Sequence, residues 1–344
     1  MDIEFHYYMT YLTAVKAGLT LDDCRVLAQA SQYVDDNDRI FEIDKDQATC
    51  FRNYISQTMN ILKPKASLLR IYPLFHFIPG DPQAKTAWRK DGKMHWLATT
   101  PNSANANLIL DAALGTGDPF RIGIAAHSYV DTWAHQNFVG YYDSFNAMKG
   151  PLESCSPDIG HADAGHHPDW PALVWKDARL QHEPVDNRAR FLDAAAHLLA
   201  KLARYARPGI GDADIAARQA DLCRDLDAAI GPRDDDNRDR QARIARYRLL
   251  AESGAYGATV LPEYDAHQWF ALAIDTRVRG LKDSTDGVLG QIDPLFADVY
   301  TWKDRATYRQ SAWFRFQQAV IDHQNTAWDI LAQRNFKGLQ LPEL

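Results

Sequence analysis

Between Gly123 and Gln136 the sequence GIAAHSYVDTWAHQ places His127, Asp131 and His135 at steps of four within an otherwise apolar run. On an α-helix a step of four turns a side chain by only about 40°, so the three form one stripe. The apolar residues around them send such a helix into a core. A core does not accept two imidazoles and a carboxylate without partners. The fold must therefore bring further polar groups against this stripe, or a cation that the stripe ligates. Neutral imidazole and carboxylate are good ligands for zinc and similar divalent ions. Ala125, Ala126 and Ala134 are small, which lets another helix or a substrate come close.

Helical spacing dominates the rest of the chain. Phe5, Tyr8, Met9, Leu12 and Val15 fall on one side of a segment near 3–17. Gly18 follows, and Thr20 is an N-cap candidate for a helix near 21–34. That helix should run out in the polar cluster Asp35-Asp36-Asn37-Asp38. Further helices are expected near 48–61, 104–115, 119–138, 188–206, 212–229, 235–254, 264–280 and 304–334. Alternation long enough for a sheet is scarce. The expected fold class is all-α, a multi-helix bundle in a single large domain over 1–344. Arg207-Pro208-Gly209 suggests a sub-boundary near 205–212. Residues 62–103 and 140–187 carry many Pro, Gly, Asp and Trp and little periodicity. Loops of that length carry function or wrap a core.

Composition excludes several functions. Thirty-eight Lys and Arg against 45 Asp and Glu give a net charge of -7, which argues against electrostatic capture of polymeric nucleic acid or anionic lipid. No apolar run approaches the roughly 20 residues that cross a bilayer. The start Met1-Asp2-Ile3-Glu4 lacks the basic and apolar regions of a secretory signal, so a cytoplasmic location is expected. Cys24, Cys50, Cys155 and Cys223 are far apart, with no CxxC, and read as reduced thiols. GxSxG, Walker and HExxH motifs are absent. Gly115-Thr116-Gly117 is a short turn and not a dinucleotide fingerprint.

Three more places carry ligand-type residues. Asp158–Trp170 holds three His and three Asp, among them His161, Asp163 and His166, in a Gly-containing loop that can bend toward an ion. Asp35 and Asp36 end the second helix, with His6 on the one before it. His76 sits among apolar neighbours in Tyr72-Pro73-Leu74-Phe75-His76-Phe77, where a satisfied core histidine is the plainer reading. His95 reads equally as a substrate contact or as structure.

The order of these residues resembles the zinc-dependent phospholipase C and P1/S1 nuclease superfamily. The pattern is an N-terminal His, an Asp ending the next helix, a mid-chain His, an HxxxD helix with another His beyond, and a further His. The resemblance implies an all-α enzyme holding three zinc ions that hydrolyse phosphate esters. The matching positions are His6, Asp35 or Asp36, His76, His127, Asp131, His135 and His161, with Asp163 or His166 as the last ligand. Two features depart from the pattern. Superfamily enzymes begin with a Trp whose free amine binds zinc, and here that ligand is expected to be missing, with Asp2 as a conceivable substitute. The His after HxxxD comes four residues past the Asp instead of six. The whole chain also resembles a widespread bacterial family of uncharacterised function, through Phe5-His6-Tyr7-Tyr8, Gln32-Tyr33-Val34-Asp35-Asp36, Phe77-Ile78-Pro79-Gly80-Asp81-Pro82 and Ala134-His135-Gln136-Asn137-Phe138.

The expected function is a metal-dependent hydrolase of phosphate esters with two or three zinc ions, manganese or iron being the alternatives. Such ions activate water and clamp phosphoryl oxygens. Asp35 or Asp36 is the candidate to orient that water or act as general base. Arg89 and Lys93 are placed in a rim loop, and Trp88, Trp96, Trp133 and Trp170 near the motifs. A small phosphorylated substrate, a phospholipid or a nucleotide is the expected partner, with no stable nucleic-acid complex. An HD-type nucleotide phosphohydrolase is one rival, weakened because no His-Asp dipeptide occurs. The other is a non-enzymatic protein whose ions only tie loops to helices.

Overall fold

The computed structural model describes residues 1–58, 68–148, 160–279, 297–337 and 339. The chain opens with a turn of π-helix, Glu4–Met9, that runs into α1 (Thr10–Ala17). Gly18 ends α1 at a φ of 101°, a left-handed position that glycine takes without steric cost. Thr20 caps α2 (Leu21–Asp36) by accepting a hydrogen bond from the Asp23 N–H, 3.2 Å. After the strands β1 (Glu42–Ile43) and β2 (Phe51–Arg52) and the single turn α3 (Tyr72–Phe75) come α4 (Ala104–Leu114) and α5 (Pro119–Ala134). Asp118 caps α5 and Pro119 fills its first position, where a missing N–H costs nothing. The second half holds β3 (Val174–Trp175), β4 (Val185–Asp186), α6 (Asn187–Ala206), α7 (Asp212–Ile230), α8 (Arg240–Glu252), α9 (Gln268–Ala273), β5 (Ile274–Arg279), β6 (Ala297–Trp302) and α10 (Ala312–Ala332).

The stripe-bearing helix α5 is central. It packs on α2, α4, α6 and α10, and its contact with α2 is the most extensive between helices. Gly123 makes that contact close. A Cβ there would stand 2.4 Å from the Leu27 carbonyl oxygen and 2.8 Å from the Ala30 Cβ. The N-terminal π-turn and α1 lie against α6, α7 and α8. One core runs from Met1 and Phe5 through Trp133 and Leu198 to Trp313 and Phe336, so residues on both sides of the 207–211 turn share it. A smaller cluster, including Phe77, Phe138 and Trp175, lies under the long loops.

The all-α expectation needs correction. The fold is predominantly helical, with a small mixed sheet in the order β2-β1-β6-β5. β5 and β6 pair antiparallel from Ile274 opposite Trp302 to Arg279 opposite Ala297. β1 joins β6 in parallel, with Ile43 opposite Tyr300. The helix expected over 264–280 is therefore only α9, and the chain then extends as β5. Ile274-Asp275-Thr276-Arg277-Val278 alternates β-branched and polar residues, a local signal for a strand. Its partner begins 18 residues beyond β5, at Ala297, outside any local window. The expected helix over 48–61 is absent from 48–58, where β2 lies. Its remainder falls outside the described residues, as do 62–67 and 149–159 of the expected loops, with Cys155 and Asp158. The helix expected from 304 starts at Ala312, after the Ser311 cap. No helix among the described residues is long and apolar enough to cross a membrane.

Candidate metal centre

Four segments converge on the α5 stripe. The π-turn brings His6, the C-terminal end of α2 brings Asp35, and the residue after α3 is His76. α5 itself supplies His127 and Asp131, and ends at Ala134 so that His135 sits just past it. The loop at 160–170 brings His161 and Asp169. Asn187, at the start of α6, pins that loop. Its amide donates to the His167 and Trp170 carbonyls at 2.5 and 2.9 Å, and its oxygen accepts from the Trp175 indole at 3.0 Å.

These side chains form three groups whose ligand atoms lie within 4.8 Å of one another. The first is His6, His127 and Asp131, all buried. His6 Nε2 is 3.1 Å from Asp131 Oδ1, and the His6 and His127 rings stack at 3.8 Å. The second is Asp35, His76 and His127. Asp35 Oδ1 is 3.7 Å from both His76 Nδ1 and His127 Nε2, and Asp131 Oδ2 is 3.3 and 3.1 Å from the same two nitrogens. The third is His135, His161 and Asp169, with 3.6 Å from each His Nε2 to the carboxylate. His127 belongs to two groups, and Asp131 lies against both.

The ring nitrogens decide what the arrangement can do. His127 Nδ1 lies 2.8 Å from the Ser31 carbonyl, His76 Nε2 3.0 Å from Ser56, His135 Nδ1 2.8 Å from His76, and His161 Nδ1 2.8 Å from Gly165. A carbonyl only accepts, so each of these nitrogens carries the proton. In a neutral imidazole the other nitrogen is then a lone pair. All four lone pairs point into the cluster. Those of His76 Nδ1 and His127 Nε2 face each other at 3.1 Å, between two carboxylates. His6 is buried with no well-directed hydrogen bond on either nitrogen, its Nε2 meeting only Asp131, and Asp169 Oδ1 is held by charge contacts with the Met1 nitrogen and His135 and by no directed hydrogen bond. Lone pairs and carboxylates turned on one another repel, and a divalent cation removes the conflict. Fixing one imidazole N–H on a carbonyl so that the other nitrogen faces the metal is the usual supporting arrangement.

Burial sets the charges. It pushes His6 down to about 4 and also lowers His127 and His135, which keeps their imidazoles neutral and ligand-ready. Burial, with the neighbouring Asp131 charge, raises Asp35. For Asp131 burial works in the same direction, but the positive Met1 nitrogen 2.5 Å away opposes it and the carboxylate is held low. Asp169 is held low as well, with the same nitrogen 3.4 Å away.

The α-amine of Met1 is an addition to what was expected. It is buried 2.5 Å from Asp131 Oδ1 and 3.4 Å from Asp169 Oδ1. Asp2 does not substitute for it. Its Oδ1 accepts from the Glu4 N–H at 3.0 Å. The second and third groups border a cleft of about 1090 Å³, lined by Met1, Asp35, His76, His135, His161 and Asp169 and, from the second half of the chain, by Arg240, Tyr264 and Asp265, while His6, His127 and Asp131 lie behind that lining.

The other expected site residues lie apart from the three groups. Asp36 lines the cleft but accepts from Gln32 and from the Tyr264 hydroxyl, at 3.3 and 2.6 Å. Asp163 accepts from the Met148 N–H. His166 is 79% exposed, 3.8 Å from Asp169. Asp169, eight residues past His161, is the ligand-type residue that spacing did not single out. His95 is held by the Leu97 N–H and Tyr141. Arg89 turns inward onto Asp91 and the Phe145 carbonyl, so neither it nor Lys93 lines the cleft. Trp133 is buried, its indole donating to Asp193, and Trp88 and Trp96 are exposed away from the cleft. Trp170 stacks on His166.

A family model described as a family of unknown function, DUF6765, matches residues 1–331. The chain belongs to this family. Neither the curated proteins nor the solved structures contain a match to it.

Proposed function

We propose that this DUF6765 protein is a metal-dependent hydrolase of phosphate esters, built on a two- or three-ion site. The observation that carries this reading is the set of inward lone pairs. Four histidines spend one N–H on a backbone carbonyl and aim the other nitrogen at ionised or ionisable carboxylates. His6, His127 and Asp131 would hold one ion. Asp35, His76 and His127 would hold a second beside Asp131, and His135, His161 and Asp169 a third. Zinc suits this nitrogen-rich donor set, and manganese or iron share its ligands. Bound ions would supply an activated water at neutral pH and charge for phosphoryl oxygens.

The chain's own groups would do the rest. Asp35 is the most open carboxylate of the three groups, with 27% of its side chain exposed toward the cleft. Its position suits it to hold or receive a proton from water. Asp131, buried between two groups, balances charge. The bordering cleft leaves room for a small phosphorylated substrate, which favours an enzyme over a protein whose ions only tie loops together.

The test is metal content by elemental analysis on protein purified without a metal-affinity tag, with phosphomonoester and phosphodiester turnover beside it. Two or three ions per chain are expected. Asp131→Ala should lose more than one, Asp169→Asn about one, and Asp163→Asn none. Absence of metal after incubation with zinc, manganese or iron would sink the reading. Metal without turnover would leave a binding protein.

A further inference from the structure

The cleft rim is acidic except at one place. Asp2, Asp36, Asp38 and Asp265 line it, and Arg240 is the one arginine or lysine among the described lining residues. Arg240 is the first residue of α8. The start of that helix is fixed firmly. Asp234 accepts from the Arg238 and Asp239 N–H groups at 3.1 and 2.9 Å. One turn on, the buried Arg243 makes a fork to Glu4 with both bonds at 2.9 Å, and a third bond to Asp234 at 2.8 Å. The two arginines differ in what they are left to do. Arg243 is spent on structure, tying α8 to the N-terminal π-turn. Arg240 keeps a buried Nε with no hydrogen-bond partner, its nearest carboxylate oxygen being Asp2 Oδ2 at 3.5 Å, while 40% of its side chain is open. Asp2 spends its other oxygen on the backbone of the π-turn, so it is placed to steer the arginine.

We propose that Arg240 is the anion-binding residue of the cleft and takes a phosphate-class group of the substrate. This rests on the phosphate-ester reading of the same site. A planar guanidinium grips phosphate through parallel N–H bonds, in a way that a point charge does not. On a rim otherwise lined by carboxylates, an anionic substrate needs one such group to enter and to be oriented. The assignment gives the second half of the chain a part in recognition, while the ligand-type groups all come from the first 170 residues.

The probe is inorganic phosphate, titrated calorimetrically into the metal-loaded full chain, with metal content measured for every variant. Arg240→Ala should weaken phosphate about tenfold or more with its metal retained. Arg240→Lys should recover part of that loss. Asp2→Asn should not weaken it, because the arginine stays. Unchanged affinity in Arg240→Ala with metal retained would overturn the proposal, as would an equal loss in Asp2→Asn, which would make Arg240 a partner of the N-terminal turn only. Metal-loaded protein that binds no phosphate would overturn it while leaving the metal centre standing. A chain that takes up neither metal nor phosphate would remove both.

Discussion

A buried histidine can be a ligand or a satisfied piece of core, and the two differ in what the second ring nitrogen meets. His76 reads in the sequence as core, because its neighbours are apolar. It is buried, yet one nitrogen faces His127 and Asp131. His323 on α10 is the opposite case. Its Nε2 meets the Leu74 carbonyl at 2.9 Å and the Ser128 hydroxyl at 3.3 Å, and it belongs to none of the three groups. Burial pushes it down to about 4 from 6.5. The unfolded chain therefore binds a proton there between pH 6.5 and 4 that the folded chain does not. This stabilisation is complete above pH 6.5 and is lost as pH falls toward 4. His323→Gln should remove about 2 kcal/mol of the stability lost between about pH 7 and pH 5. Urea unfolding of both proteins at the two pH values measures it, and equal losses would show that His323 does not titrate as a buried neutral group. At this scale the spacing of four made the α5 residues legible. Asp169 was not, because two short 3-10 turns at Ala162–Ala164 and His167–Asp169 fold the loop back across eight residues.

At the scale of elements, helices were legible wherever a local stop or start signal marked them. Thr20, Ser103, Asp118, Asp186 and Ser311 each accept the capping hydrogen bond of the helix they precede. The sheet was not legible, because two of its strands are two residues long and β6 pairs with elements distant in sequence. The α2–α5 contact is where an element sets the chemistry. Gly123 allows the close approach that puts the Ser31 carbonyl 2.8 Å from His127 Nδ1, and that bond fixes the tautomer of a histidine that belongs to two of the three groups. Gly123→Ala has little room, since the atoms it meets are helix backbone and a neighbouring Cβ. It should cost about 1–3 kcal/mol of unfolding free energy, as overpacking does. It should also weaken metal retention, because α2 must move away from α5. Chemical denaturation beside metal analysis checks both. A stable variant with full metal would mean that the helices slide apart without disturbing the histidine.

For the whole molecule, the centre joins segments that no single element connects: the π-turn, α2, the residue after α3, α5 and the 160–170 loop. Without a cation, the Met1 nitrogen still offsets part of the Asp131 charge, while the inward imidazole lone pairs stay unopposed. A chain built this way should stay folded when stripped, but with weaker ties between these segments. A ligand present at about a hundred times its dissociation constant stabilises by about 2.7 kcal/mol per site. In a chain of this length that corresponds to roughly 4 °C of melting temperature for each ion. Chelation should therefore lower the melting temperature by at least about 4 °C, reversibly on adding zinc back. Hydrogen exchange should rise first at 160–170, where the 3-10 turns lack the packing of α5. An unchanged melting temperature, with metal removal confirmed by elemental analysis, would mean that the carboxylates and imidazoles satisfy one another. The cluster would then be a hydrogen-bonded core, and the cleft would need another explanation. If exchange rises instead in α5, the stripe would itself depend on the ion, and Gly123 and the Ser31 carbonyl would not suffice to hold His127 in place.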